Sequence, residues 1–307
     1  MAEATERTTN KLVSLAEAAA SVPDGAVLAL GGFVVARCAA AFARELVRQR
    51  RRGLTVTQAI VGFDTDILAA GGAIARLVYG GGSLDHFGLV IAINRAIEQG
   101  RIIPEAYSTL TVSLRYLAGA LGVPFMPTYS LLGTDVLARL EQVAPENVRR
   151  STCPFTGEPL LLLRALQPDV AVVHVQQADV EGNARIYGPF WDNDEATKAA
   201  RRVIVLAEEI VSTDYLRQQP ELTLIPGFRV DMVVHVPYGA HPTSLYRYYD
   251  YDADHLREYV AAAKDPAALE RYLDRYVYSV DDHFGYLERV GGVARLSRLR
   301  ADPLRGY

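Results

Sequence analysis

Glycine-rich turns that follow apolar segments are the first candidates for chemistry. Gly31-Gly32-Phe33 follows the apolar run 26–30 and precedes a segment with helical periodicity. A turn that leads from a strand into a helix places backbone N–H groups at the helix N-terminus, where they can hold an anion, a phosphate or an oxyanion. Glycines also occur at such turns for steric reasons alone, so this turn is weak support for a site. It is not a dinucleotide-binding motif, because G-x-G-x-x-G is absent.

Three further turns carry residue types suited to a site. Gly80-Gly81-Gly82-Ser83 allows close approach of backbone to a ligand, although a plain tight turn is the more common use of such glycines. Glu181 lies in the turn 178–184, after an apolar run, and is a candidate general base or an exposed turn acid. His241 lies in the loop 236–243 and could donate to a phosphate or carboxylate, or be structural.

The elements that must position these turns follow an α/β pattern. Continuous apolar runs predict strands covered on both faces, and apolar residues at helical spacing predict helices between them. The sequence therefore predicts an open, mostly parallel sheet flanked by helices. Pro104 and Glu105 are predicted in the first turn of a helix, where proline and an acidic residue are favourable. The predicted strands are 26–30, 54–61, 76–79, 124–129, 170–175, 203–206 and 230–236; the predicted helices are 34–52, 67–75, 87–99, 106–121, 160–166 and 194–201.

The composition changes after residue 245. Ten of the 17 tyrosines lie from Tyr246 onwards, among helical patterns at 254–263 and 266–277. Because a tyrosine ring is apolar and its hydroxyl can stay hydrated, such a segment suits an interface with a partner or a cover for its own sheet. We therefore expect an α/β domain over 1–245 and a C-terminal helical arm over 246–307.

Bulk properties exclude several classes of protein. The formal net charge is −4 without a basic stripe, which argues against nucleic-acid binding. No apolar run approaches roughly 18 residues, so we expect no membrane span. Cys38 and Cys153 are far apart and lack metal-ligand spacing, which favours a cytoplasmic protein without a metal site. No G-x-S-x-G motif is present, so an α/β-hydrolase is disfavoured.

Four sequence blocks, taken in order, resemble the alpha subunits of family I CoA-transferases of the glutaconate and 3-oxoacid kind. They are Gly31-Gly32-Phe33, the segment YLAGALGVPFMPTY at 116–129, the turn at 179–183 followed by Tyr187-Gly188, and GAHPT at 239–243. The similarity runs from about residue 12 to 245. The resemblance implies the NagB/RpiA-like fold of these subunits, and it implies a CoA thioester as substrate, with no tightly bound cofactor and no metal.

The resemblance also implies a partner. In this family a glutamate on the beta subunit is the nucleophile: it reacts with an acyl-CoA and becomes a glutamyl-CoA thioester, from which a carboxylate acceptor takes the CoA. The E-N-G context of that glutamate is absent here, since Glu146-Asn147 is followed by Val148. We therefore expect a beta subunit, in an α2β2 heterotetramer. Gly31, Gly32 and Phe33 are implied to lie near the thioester, and the loop with Gly81, Gly82 and Ser83 is implied to line the acyl pocket.

Two alternatives remain open. Gly82-Ser83-Leu84-Asp85 is similar to a loop of steroid-ring-opening hydrolases of the same fold, which act on CoA thioesters. In that branch the implicated glutamate resembles the Glu105 region, so Glu105 is a candidate base or nucleophile; its other role is charge complementation at a helix start. The third hypothesis is a non-catalytic homologue that binds CoA esters.

Overall fold

The structure, a computed structural model, describes residues 9–302 and contains two sheets in that range. The larger sheet has the strand order β11-β10-β8-β1-β2-β3-β4, with β9 added antiparallel to β8 and every other pair parallel. The predicted open, mostly parallel sheet is confirmed. The strands are β1 (Val27–Leu30), β2 (Leu54–Gln58), β3 (Ile74–Tyr79), β4 (Ile103–Ala106), β5 (Phe125–Thr128), β6 (Val148–Thr152), β7 (Pro159–Arg164), β8 (Val170–Ala178), β9 (Ala184–Arg185), β10 (Arg202–Ile210) and β11 (Met232–His235).

Helices cover both faces of the larger sheet, which explains why its central strands are apolar throughout. All nine residues of β8 are buried, as are the three residues Leu28, Ala29 and Leu30 of β1. The helices are α1 (Leu15–Ala20), α2 (Ala40–Arg48), α3 (Phe63–Ala70), α4 (Ile91–Glu98), α5 (Thr109–Leu121), α6 (Asp135–Val143), α7 (Asn193–Ala199), α8 (Thr213–Arg217), α9 (Ala253–Ala263), α10 (Pro266–Leu273), α11 (His283–Arg289) and α12 (Gly292–Leu296).

The smaller sheet is antiparallel, with the order β5-β7-β6. Its central strand β7 contains residues 160–164 of the segment 160–166, so the helix predicted there is wrong. Leu161 and Leu163 are buried against the core while Arg164 is exposed. A short apolar run does not distinguish a helix from a strand by periodicity, and here the pairing with two neighbours decides the outcome.

The helix predicted over 34–52 is shorter and begins later. It starts at Ala40, because Val34 and Arg37 both adopt a φ of 53°, which a right-handed helix cannot accommodate. Gly31-Gly32-Phe33 therefore leads into an irregular loop, and the prediction that this turn opens a helix is wrong. The helix predicted at 67–75 is displaced to α3, whereas the helix predicted at 87–99 is present in shorter form as α4.

The helix predicted from residue 106 begins three residues later, at Thr109. Ser108 is its N-cap and forms a capping box with Thr111, which supplies the start signal. Pro104 and Glu105 lie in β4, at the edge of the sheet, where a strand tolerates proline. The placement of Glu105 at a helix start is therefore wrong.

The C-terminal helices pack on the α/β domain of the same chain. Tyr259, Tyr272 and Tyr286 are buried in the core that also contains Phe42 and Phe63. His241 ties the extension to the end of β11, because its Nε2 lies 3.1 Å from Asp252 Oδ2 and its Nδ1 lies 2.8 Å from the Tyr286 hydroxyl. Packing on its own sheet is thus the alternative that the structure bears out, while the domain boundary at 245/246 stays a prediction.

Two properties concern the whole of the described chain. Between residues 9 and 302, no helix is both long and apolar enough to cross a membrane. Over the same range, no three or more His, Cys, Asp or Glu side chains are grouped as metal ligands would be.

The hydrogen bond between Tyr259 and Asp66 joins the extension to α3 and gives a test of this packing. Asp66 is fully buried, and burial raises the pKa of its carboxyl to about 6. Its Oδ2 accepts from the Tyr259 hydroxyl at 2.6 Å. Tyr259→Phe leaves a buried carboxyl oxygen without this donor, and we expect the free energy of unfolding to fall by about 1–3 kcal/mol in chemical denaturation.

Tyr215→Phe is the matched control. Tyr215 is 44% exposed, and its hydroxyl makes no hydrogen bond within residues 9–302. We expect a change within about 0.5 kcal/mol. Equal losses in the two variants would contradict the assigned role of the Tyr259 hydroxyl.

Candidate functional site

The strand order identifies the edge of the sheet where a ligand is expected. From β1 the chain proceeds to β2, β3 and β4 on one side, whereas β8, β10 and β11 lie on the other. The order thus reverses between β1 and β8. Open α/β sheets bind ligands at such a reversal, outside the carboxyl ends of the strands. Gly31-Gly32-Phe33 follows β1 at this point.

Both glycines of the turn after β1 are required by close packing. A Cβ on Gly31 would lie 2.3 Å from the side-chain oxygen of Asn193, at the start of α7. Gly32 has a φ of +80°, and a Cβ there would lie 2.3 Å from the carbonyl oxygen of Arg37. The turn is therefore compressed between two other segments, and any larger residue would displace one of them.

The backbone donors of this turn are already used within the protein. The N–H of Gly31 donates to Val172 O (2.8 Å), and that of Gly32 donates to Asn193 Oδ1 (3.2 Å). The N–H of Phe33 donates to Ala36 O at 3.0 Å. In this conformation these three groups are not available to an oxyanion, so the sequence-predicted anion-binding role of the turn remains a prediction.

The loop after β3 offers donors that are free. Gly80 packs against the start of α5, since a Cβ there would lie 2.3 Å from the backbone nitrogen of Thr109. The carbonyl oxygen of the next residue, Gly81, accepts from Val61 N at 2.9 Å. Within residues 9–302, the N–H groups of Gly81 and Gly82 make no hydrogen bond. These two amides are therefore the better candidates for binding a negatively charged oxygen.

The last residue of each glycine turn lines a common cleft, which we call the Phe33 cleft, whereas the glycines themselves are not among its lining residues. Its volume is about 440 Å³, within the usual range for small-molecule sites. Phe33 and Ser83, both predicted site residues, line it together. The lining consists of residues 33–36, Ser83, Asp85, Pro189, Ser244, Tyr246 and residues 249–251.

A buried arginine holds one wall of this cleft. Arg37 is only 4% exposed, and its guanidinium donates to His174 O, Asn193 Oδ1 and Pro189 O at 3.1–3.2 Å. Burial lowers the pKa of Arg37 to about 10, so the group stays protonated near neutral pH. Trp191 lies in the chain between the acceptors Pro189 and Asn193. Its ring is edge-on to that of Phe33, with ring centroids 5.0 Å apart.

Glu105 lies outside the Phe33 cleft. It is 2% exposed and accepts from Arg76 Nη1 (2.6 Å), the Tyr107 hydroxyl (3.2 Å) and Asn147 Nδ2 (3.1 Å). Arg115 Nη1 lies 3.9 Å away. This carboxylate lines a second cavity of about 680 Å³, beside residues 122–124 and Asn147. Its surroundings are those of a structural ion pair within the edge of the sheet.

The other two predicted candidates also lie away from the Phe33 cleft. Glu181 is half-buried in the turn after β8 and lines a cavity together with Asn183 and Thr213. His241 is fully buried between Asp252 and Tyr286, as a structural histidine would be. Neither side chain is among those that line the cleft.

Most residues that line the Phe33 cleft, or hold its wall from behind, were not predicted from the sequence. Arg37 fell inside a predicted helix, and Asn193 and Trp191 lay between predicted elements. The wall formed by Tyr246 and residues 249–251 belonged to a segment considered only as an arm. Their participation depends on long-range contacts that have no local sequence signal, although the tyrosine excess after residue 245 pointed to that segment as unusual.

An open α/β domain with its cleft at the strand-order reversal defines a broad class of ligand-binding proteins and enzymes. Within that class, the chain belongs to the coenzyme A transferase family, whose model matches residues 12–236. Its similarity is to the A, or alpha, subunits of these enzymes. The resemblance stated from the sequence is thereby confirmed.

One relative of this chain is similar to it over nearly the whole length of both chains. The chain is 32% identical to the A subunit of the glutaconate CoA-transferase of Acidaminococcus fermentans, over 97% of both chains. The crystal structure of that transferase matches with a TM-score of 0.92, covering 97% of this chain and 98% of the other.

Two other relatives broaden the comparison. An uncharacterised protein of Archaeoglobus fulgidus is 37% identical over 95% of this chain, which spans 64% of that relative's length. A cholesterol ring-cleaving hydrolase subunit of Rhodococcus jostii is 29% identical, over 90% of this chain and 94% of its own.

Substitution of Glu105 separates a structural role from a catalytic one. Glu105→Gln leaves the buried Arg115 and the half-exposed Arg76 without their countercharge. We expect the free energy of unfolding to fall by about 3 kcal/mol, measured by urea denaturation, because breaking a buried ion pair leaves an uncompensated charge.

Glu141→Gln is the control, because Glu141 forms an ion pair with Arg150 at the surface. Such pairs contribute about 1 kcal/mol or less. A Glu105→Gln protein of unchanged stability that has lost all turnover would support the catalytic role instead.

Proposed function

We propose that this chain is the alpha subunit of a CoA-transferase that moves CoA between carboxylic acids together with a beta-type chain. The observation that carries the proposal is the whole-chain match to the glutaconate enzyme, whose A subunit shares the fold from end to end. The position of the Phe33 cleft at the strand-order reversal supports it independently.

The proposed reaction proceeds through the partner's glutamate. Its carboxylate attacks the carbonyl carbon of the acyl-CoA, giving a mixed anhydride and CoA thiolate. The thiolate then attacks the glutamyl carbonyl and releases the donor carboxylate, leaving glutamyl-CoA. An acceptor carboxylate reverses both steps, takes the CoA and regenerates the glutamate. The CoA thioester is thus a substrate, and no tightly bound cofactor enters the scheme.

This chain contributes surface and donors to that reaction. We assign the N–H groups of Gly81 and Gly82 to the oxyanion that forms at the attacked carbonyl, because they are free among the described residues. The turn with Gly31 and Gly32 brings backbone close to the thioester, and Phe33 and Ser83 line the acyl site. The apolar wall excludes water. This exclusion strengthens the hydrogen bonds to the oxyanion and protects the anhydride from hydrolysis.

The partner is part of the proposal. Glu105, the glutamate of this chain that the sequence indicated as a candidate nucleophile, is buried and paired with arginine. The proposed reaction therefore takes its nucleophile from a second chain. The α2β2 assembly and a cytoplasmic location remain predictions.

A ring-opening hydrolase is the second candidate function. It is favoured by the similarity to the hydrolase subunit of Rhodococcus jostii and by the position of Ser83 and Asp85 in the cleft. In that case the chain and its partner would consume water and release a ring-opened CoA ester. A homologue that binds CoA esters without turnover is the third.

Reductive trapping separates these three functions. We expect this chain alone to be inactive, and the complex with its beta-type partner to lose activity when borohydride is added after acyl-CoA, because borohydride reduces the glutamyl thioester. Mass spectrometry should locate the modification on a glutamate of the partner.

Borohydride without acyl-CoA is the control and should leave activity intact. Turnover that is insensitive to trapping and incorporates oxygen from labelled water would support the hydrolase. Binding of acyl-CoA without any turnover would support the non-catalytic homologue.

A further inference from the structure

The Phe33 cleft combines an apolar wall with two carboxylates. Its apolar lining includes Phe33, Val34 and Val35 from the loop after β1, and Tyr246 and Tyr251 from the C-terminal extension. The rings are fixed by their neighbours. Phe33 is packed against Trp191, and Tyr251 lies edge-on to Phe87, with centroids 5.4 Å apart. Such a wall suits an alkyl or aryl group.

Asp85 and Asp250 supply the charge in this cleft. Within residues 9–302, neither carboxylate forms an ion pair, and no Lys, Arg or His is among the residues that line the cleft. Asp250 accepts a hydrogen bond only from the backbone of Tyr251, at 2.7 Å. Among the described residues the cleft therefore contains two carboxylates without a cationic partner, Asp85 being exposed and Asp250 half-buried.

Two arginines next to the residues that line the cleft are engaged elsewhere. Arg37 is buried behind the wall and donates to three backbone and amide oxygens. The guanidinium of Arg247 lies over the rings of Tyr187 and Tyr246, at 5.3 and 5.8 Å, and lines the neighbouring cavity beside Glu208. A second carboxylate on an acyl group in the cleft would thus meet like charges and find no cation in this wall.

The C-terminal extension provides several of the residues that would disfavour a second carboxylate. Tyr246, Asp250 and Tyr251 precede Asp252, which is fixed by Arg295 through two hydrogen bonds of 2.6 and 2.8 Å. The same Asp252 contacts His241, in the middle of the GAHPT loop. Tyr251 itself packs against His86 and Phe87, which directly follow the loop that contains Ser83 and Asp85.

We infer that the acyl group accepted by this chain is apolar and carries no second carboxylate, so that the substrate class is monocarboxylic acyl-CoA rather than the CoA monoester of a dicarboxylic acid. The inference rests on the proposed function, since it assumes that the acyl group enters the Phe33 cleft. It follows from Asp85, Asp250 and the tyrosines of the extension.

A pair of thioesters of equal length tests the inference. Pentanoyl-CoA and glutaryl-CoA both have five acyl carbons and differ in the terminal carboxylate. With the complex of this chain and its beta-type partner, and acetate as acceptor, we expect kcat/KM for pentanoyl-CoA to exceed that for glutaryl-CoA by about tenfold or more. Charge repulsion over a few ångströms at a partly hydrated site is of this size.

Asp85→Asn combined with Asp250→Asn should reduce this ratio at least about fivefold, because the repulsion is removed. Asparagine suits position 85, where φ is 56°. Asp254→Asn is the matched control: that carboxylate is exposed and pairs with Arg257, so the ratio should not change.

Three outcomes would overturn the inference. They differ in whether they also contradict the proposed transferase function. A preference for glutaryl-CoA contradicts it while leaving the transferase function intact. A ratio unchanged in the double variant removes the assigned role of the two carboxylates. Absence of CoA transfer from every thioester, together with negative borohydride trapping, refutes the proposed function itself.

Discussion

The buried guanidinium of Arg37 is the interaction on which the geometry of the site depends. A charge removed from water is costly unless its donors are satisfied, and here three acceptors from β8, α7 and the segment before α7 surround it. The same Asn193 oxygen accepts from Gly32 N–H. One arginine thereby joins the turn after β1, the middle of β8 and the segment that contains Trp191.

This constraint explains both the glycines and the irregular loop after them. Gly31 must approach Asn193, and Arg37 must turn inward with a positive φ, so α2 can begin only at Ala40. The amides of Gly31, Gly32 and Phe33 donate within the protein, while those of Gly81 and Gly82 make no hydrogen bond to any part of the chain between residues 9 and 302. The chain thus offers a rigid apolar surface with two donors, which matches the contribution proposed for an alpha subunit whose nucleophile comes from a partner.

Much of the fold could be predicted because its physical causes are local. Buried parallel strands produce apolar runs, and β1, β2, β8, β10 and β11 were found in this way. The run at 160–166 was misassigned because four consecutive leucines fit either a strand or a helix, and only the pairing of β7 with β5 and β6 decides between them. The site was harder to predict. Arg37 donates to acceptors that are 137 and 156 residues away in the sequence, and no local sequence pattern indicates such contacts. Glu105 was misplaced because proline and an acid favour a helix start, whereas the actual signal was Ser108.

The central claim is that an acyl-CoA binds with its acyl group in the Phe33 cleft. Trp191 is the only tryptophan of this chain and lies against Phe33, so its fluorescence reports directly on that cleft. Titration of the complex with pentanoyl-CoA should change the emission of the wild-type protein and saturate, and the change should be lost in Trp191→Phe. An identical response in both proteins would mean that the acyl group binds elsewhere, and would contradict this account.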